Sequence, residues 1–186
     1  LIKKLKIYEK NGSTYDLLPD NIDVSTSYRG VFAFSSTLIF ASHWNGSTAM
    51  MIRVFKKTTG LFSLIQTLNY NIGPSHVFLK FGDYVATNNY KTASATANIM
   101  IFLKGADDLL TLTQTITFAN KLHFMTKFRE DYIFAIQNIA PYIKIYKGVS
   151  GTFSLIQDIG IDVSPNESYH VKSISYDRVV TGHLNG

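Results

Sequence analysis

Three histidines recur at one place in this sequence. His76, His123 and His170 are spaced 47 and 47 residues apart. Imidazoles repeated at one register around a symmetric body can hold a metal ion or an anionic ligand. A site made only of histidine would also need acceptors for the second ring nitrogens, and the sequence assigns none. Tandem repetition copies structural residues along with functional ones. The competing role is a hydrogen bond from a loop to a neighbouring strand, made once per repeat. That role is the one expected, with no metal and no cofactor.

A second group comprises His43, Trp44 and Tyr90. Trp44 is the single tryptophan, and Tyr90 stands in the loop from Asn88 to Asn98, the longest break in the chain's regular pattern. Flat rings with amide and hydroxyl neighbours suit sugar or peptide binding, because the ring supplies contact area and the polar groups supply direction. Packing of these rings within the fold is the alternative. Asp83, Asp131 and Asp177 recur as well, with Thr37 at the same place in the first repeat. Aspartate favours turns by bonding nearby backbone N–H groups, and a turn role is expected of them. No Ser-His-Asp set, phosphate loop or H-E-x-x-H pattern is present. The absence of cysteine excludes disulfides, thiolate zinc sites and a thiol nucleophile.

The elements that must position these groups follow from a longer repeat. An apolar-x-apolar-aromatic-x-Lys pattern occurs at Leu5–Lys10, Ile52–Lys57 and Ile99–Lys104, and again, ending in glycine, at Ile143–Gly148. Its aromatic positions are Tyr8, Phe55, Phe102 and Tyr146, at spacings of 47, 47 and 44. Seven or eight residues later comes a second apolar run, ending in Gln66, Gln114 and Gln157 but in Pro19 in the first copy. Gly and Asn between the two runs mark hairpin turns. Two further short strands complete each unit: Val31–Phe34, Val77–Phe81, Phe124–Phe128 and Val171–Ser175, then Leu38–Ser42, Tyr84–Thr87, Tyr132–Ile136 and Arg178–Thr181.

Four strands in some 45 residues with no helical period predict an all-β fold, a β-propeller built of four-stranded antiparallel blades. The chain reads as one domain, 1–186, with approximate repeats 5–51, 52–98, 99–142 and 143–186. Naming the strands a to d from the axis outwards, the chain starts with a c–d pair and ends with an a–b pair. These are complementary halves of one blade. Either the ring closes on itself with four blades, or a partner chain or further repeats complete a larger ring. Proline at position 19 suits the outermost strand, where a ladder donor can be lost.

The stretch Ser75–Thr87 and the strand Ile52–Lys57 followed by Thr58-Thr59-Gly60 resemble the WD40-like group of propeller repeats, with Phe55-Lys56 standing where Trp-Asp is usual. The strand pattern also resembles integrin-type and bacterial extracellular propeller repeats. Asp107-Asp108 lacks the alternating spacing of their calcium loops. The resemblance implies a binding platform.

The expected function is accordingly a non-enzymatic interaction scaffold for protein or peptide partners, or alternatively an extracellular or surface glycan-binding propeller. The candidate ligand residues are His76, His123, His170, His43, Trp44 and Tyr90. The net charge of +5 comes from lysines and arginines spread over all repeats, read as solvated strand faces with no nucleic-acid partner. No apolar run reaches the roughly 18 residues of a membrane helix. Three N-x-S/T sequons, at Asn11, Asn45 and Asn166, fall in loops that could carry glycans. Without an initiator Met, Leu1 reads as a processed start or the edge of a longer chain.

Overall fold

Runs of β-branched and aromatic residues fit a pleated, half-buried surface. The computed structural model describes residues 3–17, 22–24, 27–44, 50–70, 77–89, 97–119, 121–137, 143–160, 169–173 and 179–183. Every regular element among them is a strand. Near the N-terminus lie β1 (Lys3–Leu5), β2 (Tyr8–Asn11), β3 (Thr14–Leu17) and β4 (Ile22–Val24). β1 pairs with β4 and β2 with β3, which makes one interrupted c–d hairpin.

Three four-stranded sheets follow, each a meander in chain order. The first is β5 (Ser27–Ser35), β6 (Leu38–Trp44), β7 (Met50–Thr58) and β8 (Leu61–Tyr70). The second is β9 (Phe78–Phe81), β10 (Tyr84–Asn89), β11 (Ala97–Lys104) and β12 (Leu110–Phe118). The third is β13 (Leu122–Phe128), β14 (Tyr132–Gln137), β15 (Ile143–Val149) and β16 (Thr152–Ile159). A final pair, β17 (Tyr169–Ser173) and β18 (Val179–His183), packs against β13. The all-β architecture and the a-b-c-d strand order are as the repeat predicts. Among the described residues β18 pairs only with β17, and β1 only with β4. Among the described residues Val179–Thr181 does not pair with Leu5–Lys10; Arg178 lies outside them.

The core lies in the seams between blades. Phe34, Phe40, Ile52 and Val54 of the first blade meet Phe78, Val85, Met100 and Phe102 of the second. Phe81, Ala86, Ile99 and Ile101 of the second meet Met125, Ile133, Tyr146 and Phe153 of the third. Three of the four repeated aromatics, Phe55, Phe102 and Tyr146, are buried in this way. Burial, and then the charge of Asp158, pushes the Tyr146 hydroxyl up to about 12. Tyr8 departs from the pattern at 55% exposed. Its copies each face the preceding blade, and no described strand stands behind Tyr8.

Two backbone devices repeat with the blades. At the a–b turns, Thr37, Asp83 and Asp131 offer their carbonyls to the N–H groups of Lys57, Lys104 and Gly148, at 2.8, 2.9 and 2.6 Å. The main chain does this work, which explains why threonine can stand in the aspartate's place. The second device joins neighbouring blades. Each c–d pair shifts register at the repeated aromatic, between Val54 and Phe55, Ile101 and Phe102, and Ile145 and Tyr146. Such bulges bend a strand and sharpen its twist. Next to them, Gln66 donates through Nε2 to the Leu110 carbonyl at 2.9 Å and accepts from the Leu110 N–H at 2.8 Å. Gln114 grips Phe153 in the same way at 2.7 and 2.8 Å.

Each clamp satisfies one N–H and one carbonyl that no strand of its own sheet reaches. Gln114→Ala leaves both groups without their partner, and a lost partner costs about 1–3 kcal/mol when the site is buried. A matching fall in the denaturation midpoint is expected. A Gln114→Ala protein that melts like the parent would show the clamp to be idle.

Candidate functional site

Strands a and b are antiparallel, so the entry to a and the exit from b lie at the same end of each blade. The register aligns the exits. Ile39, Val85 and Ile133 oppose the repeated aromatics Phe55, Phe102 and Tyr146. Four residues on stand His43, Asn89 and Gln137, a polar side chain at or next to the end of strand b in each blade. All three are buried, as are Ser42 and Asn88 just before them.

Polar groups inside apolar seams are costly unless bonded, and several bonds are made. Thr87 Oγ1 donates to the Val77 carbonyl at 2.8 Å. Ser42 Oγ donates to the Gly30 carbonyl at 3.5 Å. The Asn98 N–H donates to Asn89 Oδ1. At the end of β10, Asn88 Oδ1 and Asn89 Nδ2 are buried with no hydrogen-bond partner. Successive residues of a strand face opposite ways. Asn89 therefore addresses the seam with the first blade, alongside Val85, and Asn88 the seam with the third, alongside Ala86. Arg53 Nε is a further open donor, next to Ala41 in the ladder of the first blade.

His123 sits at the entry to β13, beside Leu122, which pairs with Gln137. It is half-buried. Burial, and then the positive charge of Lys121, lowers its pKa below the ordinary imidazole value. The ring is thus neutral at pH 7 and keeps one nitrogen as a proton acceptor. The half-buried imidazole of the third blade and the buried amide atoms of the second thus lie at the same end of the blades, with the Asn89 donor turned towards the first.

The opposite end carries two grooves. One, of about 230 Å³, runs between Ile7 and Tyr8 of the N-terminal hairpin and Ala33, Ile39 and Phe62 of the first blade, with Lys10 and Lys57 at its edge. The other, of about 290 Å³, lies between Phe81 and Tyr84 of the second blade and Asp131 and Phe153 of the third. The charges at this end serve packing. Lys80 Nζ sits 4.0 Å from the centre of the Phe34 ring, and Lys127 Nζ 5.2 Å from that of Phe81. Lys56 and Lys104 both bond Asp108, at 2.7 and 3.3 Å. The Lys56 bond does most to hold that carboxyl below its usual range.

The residues singled out in the sequence are placed unequally. His123 lies at the polar end with its side chain defined. His43 lies there too, but in the strand-b row with Asn89 and Gln137 and not in the histidine row. His170 falls in β17 and Trp44 in β6, and only their backbones are described. His76, Tyr90 and Asp177 lie outside the described residues. Among the described residues, no three His, Asp or Glu side chains gather as metal ligands would. The buried Asn88, Asn89 and Gln137 were not expected. The one trace of them in the sequence is that the apolar runs of β10 and β14 end on polar residues, which read equally well as the start of a loop.

No protein-family model and no curated protein matches the chain. Solved structures do. A protein from Lactobacillus plantarum superposes with a TM-score of 0.58 at 15% identity, over 76% of this chain and 44% of that one. A protein from Bacteroides uniformis, titled a "putative 6-phosphogluconolactonase", superposes with a TM-score of 0.62 at 17% identity, over 87% of this chain and 55% of that one. The fold is that of a partial β-propeller. The chain spans about half the length of the structures it matches. The second likeness corrects the functional expectation. A non-enzymatic scaffold, or a glycan-binding module in its place, was inferred by treating this architecture as a binding platform, yet the fold is shared with a protein named for an enzymatic activity.

Proposed function

We propose that this chain is part of a propeller hydrolase that opens a sugar-acid lactone. The observation that carries the reading is the shared fold over 87% of the chain with the Bacteroides uniformis protein. The polar end of the blades supports it with suitable chemistry. Hydrolysis of a ring ester adds water to the carbonyl carbon and releases the ring oxygen as a hydroxyl. It needs a base for the water's proton and a donor for the oxygen that gains charge. In this reading His123, held neutral, is the base. The net charge of +5 favours the approach of a phosphorylated, anionic substrate. The WD40-like character of the repeats concerns the blade framework and is compatible with this chemistry.

The test is an initial-rate assay of the purified chain with gluconolactone and its 6-phosphate, followed by proton release against the spontaneous reaction. Catalysis above background is expected, greater for the phosphorylated lactone. Rates equal to background with both substrates would remove the proposal.

A further inference from the structure

We propose that the groove between the second and third blades binds a small aliphatic primary amine. It lies between two complete four-stranded sheets, at the end of the blades away from His123. The site is separate from the lactone chemistry proposed above.

The repeat itself places an ammonium group here in the other blades. Two residues after the repeated aromatic stand Lys57, Lys104 and Gly148, and the N–H of each bonds its a–b turn. Lys57 edges the groove in front of the first blade. Lys104 runs into the seam between the first and second blades. Its Nζ donates to the Gly105 carbonyl at 3.0 Å, pairs with Asp108 at 3.3 Å and lies 6.0 Å from the centre of the Phe34 ring. Lys80 also stands over that ring, at 4.0 Å. In the next seam Phe81 is the copy of Phe34, and Lys127, the copy of Lys80, lies 5.2 Å from it. Gly148 brings no second cation, and the groove of about 290 Å³ borders it.

Two glycines set the walls of this groove. A Cβ on Gly148 would come 2.7 Å from the Phe153 ring, and one on Gly151 would collide with the Tyr84 ring. Both rings therefore lie directly over backbone, where any other residue would push them out. Phe153 meets Phe81 edge-on, with centroids 5.0 Å apart. The Tyr84 hydroxyl donates to the Ser150 carbonyl at 3.2 Å. Aromatic faces attract a cation, and they cover the alkyl stem that carries it.

The charge left over in the groove is negative. Glu130 is matched by Lys127 at 2.6 Å. Asp131 is half-buried, and among the described residues its carboxylate has no hydrogen bond or ion pair. Its backbone carbonyl is taken by the Gly148 N–H. An ammonium on an aliphatic chain meets this carboxylate with its charge and the rings with its stem, as Lys104 meets Asp108 beside Phe34. A neutral or anionic ligand gains nothing from the carboxylate.

The experiment is a titration of the isotope-labelled chain with pentylamine near neutral pH, followed in amide spectra, with pentanol as the uncharged match. Saturable shifts centred on Asp131, Gly148 and Ser150 are expected with the amine, and a Kd at least tenfold higher for pentanol. Asp131→Asn keeps the carbonyl that holds Gly148, so the turn is retained, and it weakens amine binding about tenfold. Gly148→Lys supplies the side chain of the other blades and abolishes amine binding. The Phe153 ring must swing aside for that lysine, so Asp131→Asn decides by itself if the Gly148→Lys protein does not fold. Absence of saturable shifts at the groove overturns the proposal. So does equal affinity for pentanol, or an Asp131→Asn protein that binds the amine as the parent does.

Discussion

Phe102→Ala is expected to lower the stability of the protein by about 3–5 kcal/mol, the range for removing a buried phenylalanine. Phe102 is fully buried in the seam between the first and second blades, among Phe40, Val54 and Met100. Its ring meets that of Tyr70 edge-on, with centroids 5.9 Å apart, and such pairs add to the plain burial. Alanine leaves a hole that two stacked sheets cannot close without shifting their register. Tyr8→Ala is the internal control. Tyr8 holds the same position in the repeat but is largely exposed, so its loss should lie within about 0.5 kcal/mol of zero. Denaturant unfolding of both variants decides the matter. Equal losses would mean that the seam does not distinguish the two copies.

The His123→Ala protein is expected to lose about a hundredfold or more of the proposed lactone hydrolysis, the lower end of what a positioned base contributes. The pH dependence sharpens the test. Burial and Lys121 lower the pKa of His123, so the base form persists below the ordinary histidine value of about 6.5. The rate should rise through a pKa under that value and be flat around neutrality. The linkage to folding has a definite sign. A lowered folded pKa means that the unfolded chain binds the proton more readily. The stability this group contributes is full above the unfolded value and is lost as pH falls through the folded one. His123→Ala should abolish both the acidic limb of the rate profile and this part of the acid sensitivity. A variant that keeps the parental rate and profile would sink His123 as the base while leaving the hydrolase reading to the parental assay.

The all-β architecture, the a-to-d strand order and the burial of Phe55, Phe102 and Tyr146 were legible in the sequence, because each rests on alternation within a few residues and on its recurrence. His123 was legible as a candidate for the same reason: it recurs. Asn88, Asn89 and Gln137 were not, since a polar residue ending a strand looks like the start of a loop until a neighbouring blade is laid over it. The aspartates of the a–b turns misdirect in the opposite sense, because the atoms in use there are backbone carbonyls that any residue owns. Tyr8 holds the same place in its repeat as Phe55, Phe102 and Tyr146, and is exposed because no described strand packs behind it. The glutamine clamps tie residues 44 and 39 positions apart, a relation that no local period encodes. Strand identity is set by the alternation of each segment with itself. Burial, clamping and the state of a titrating group are set by which blade stands next to it, and that only the tertiary structure decides.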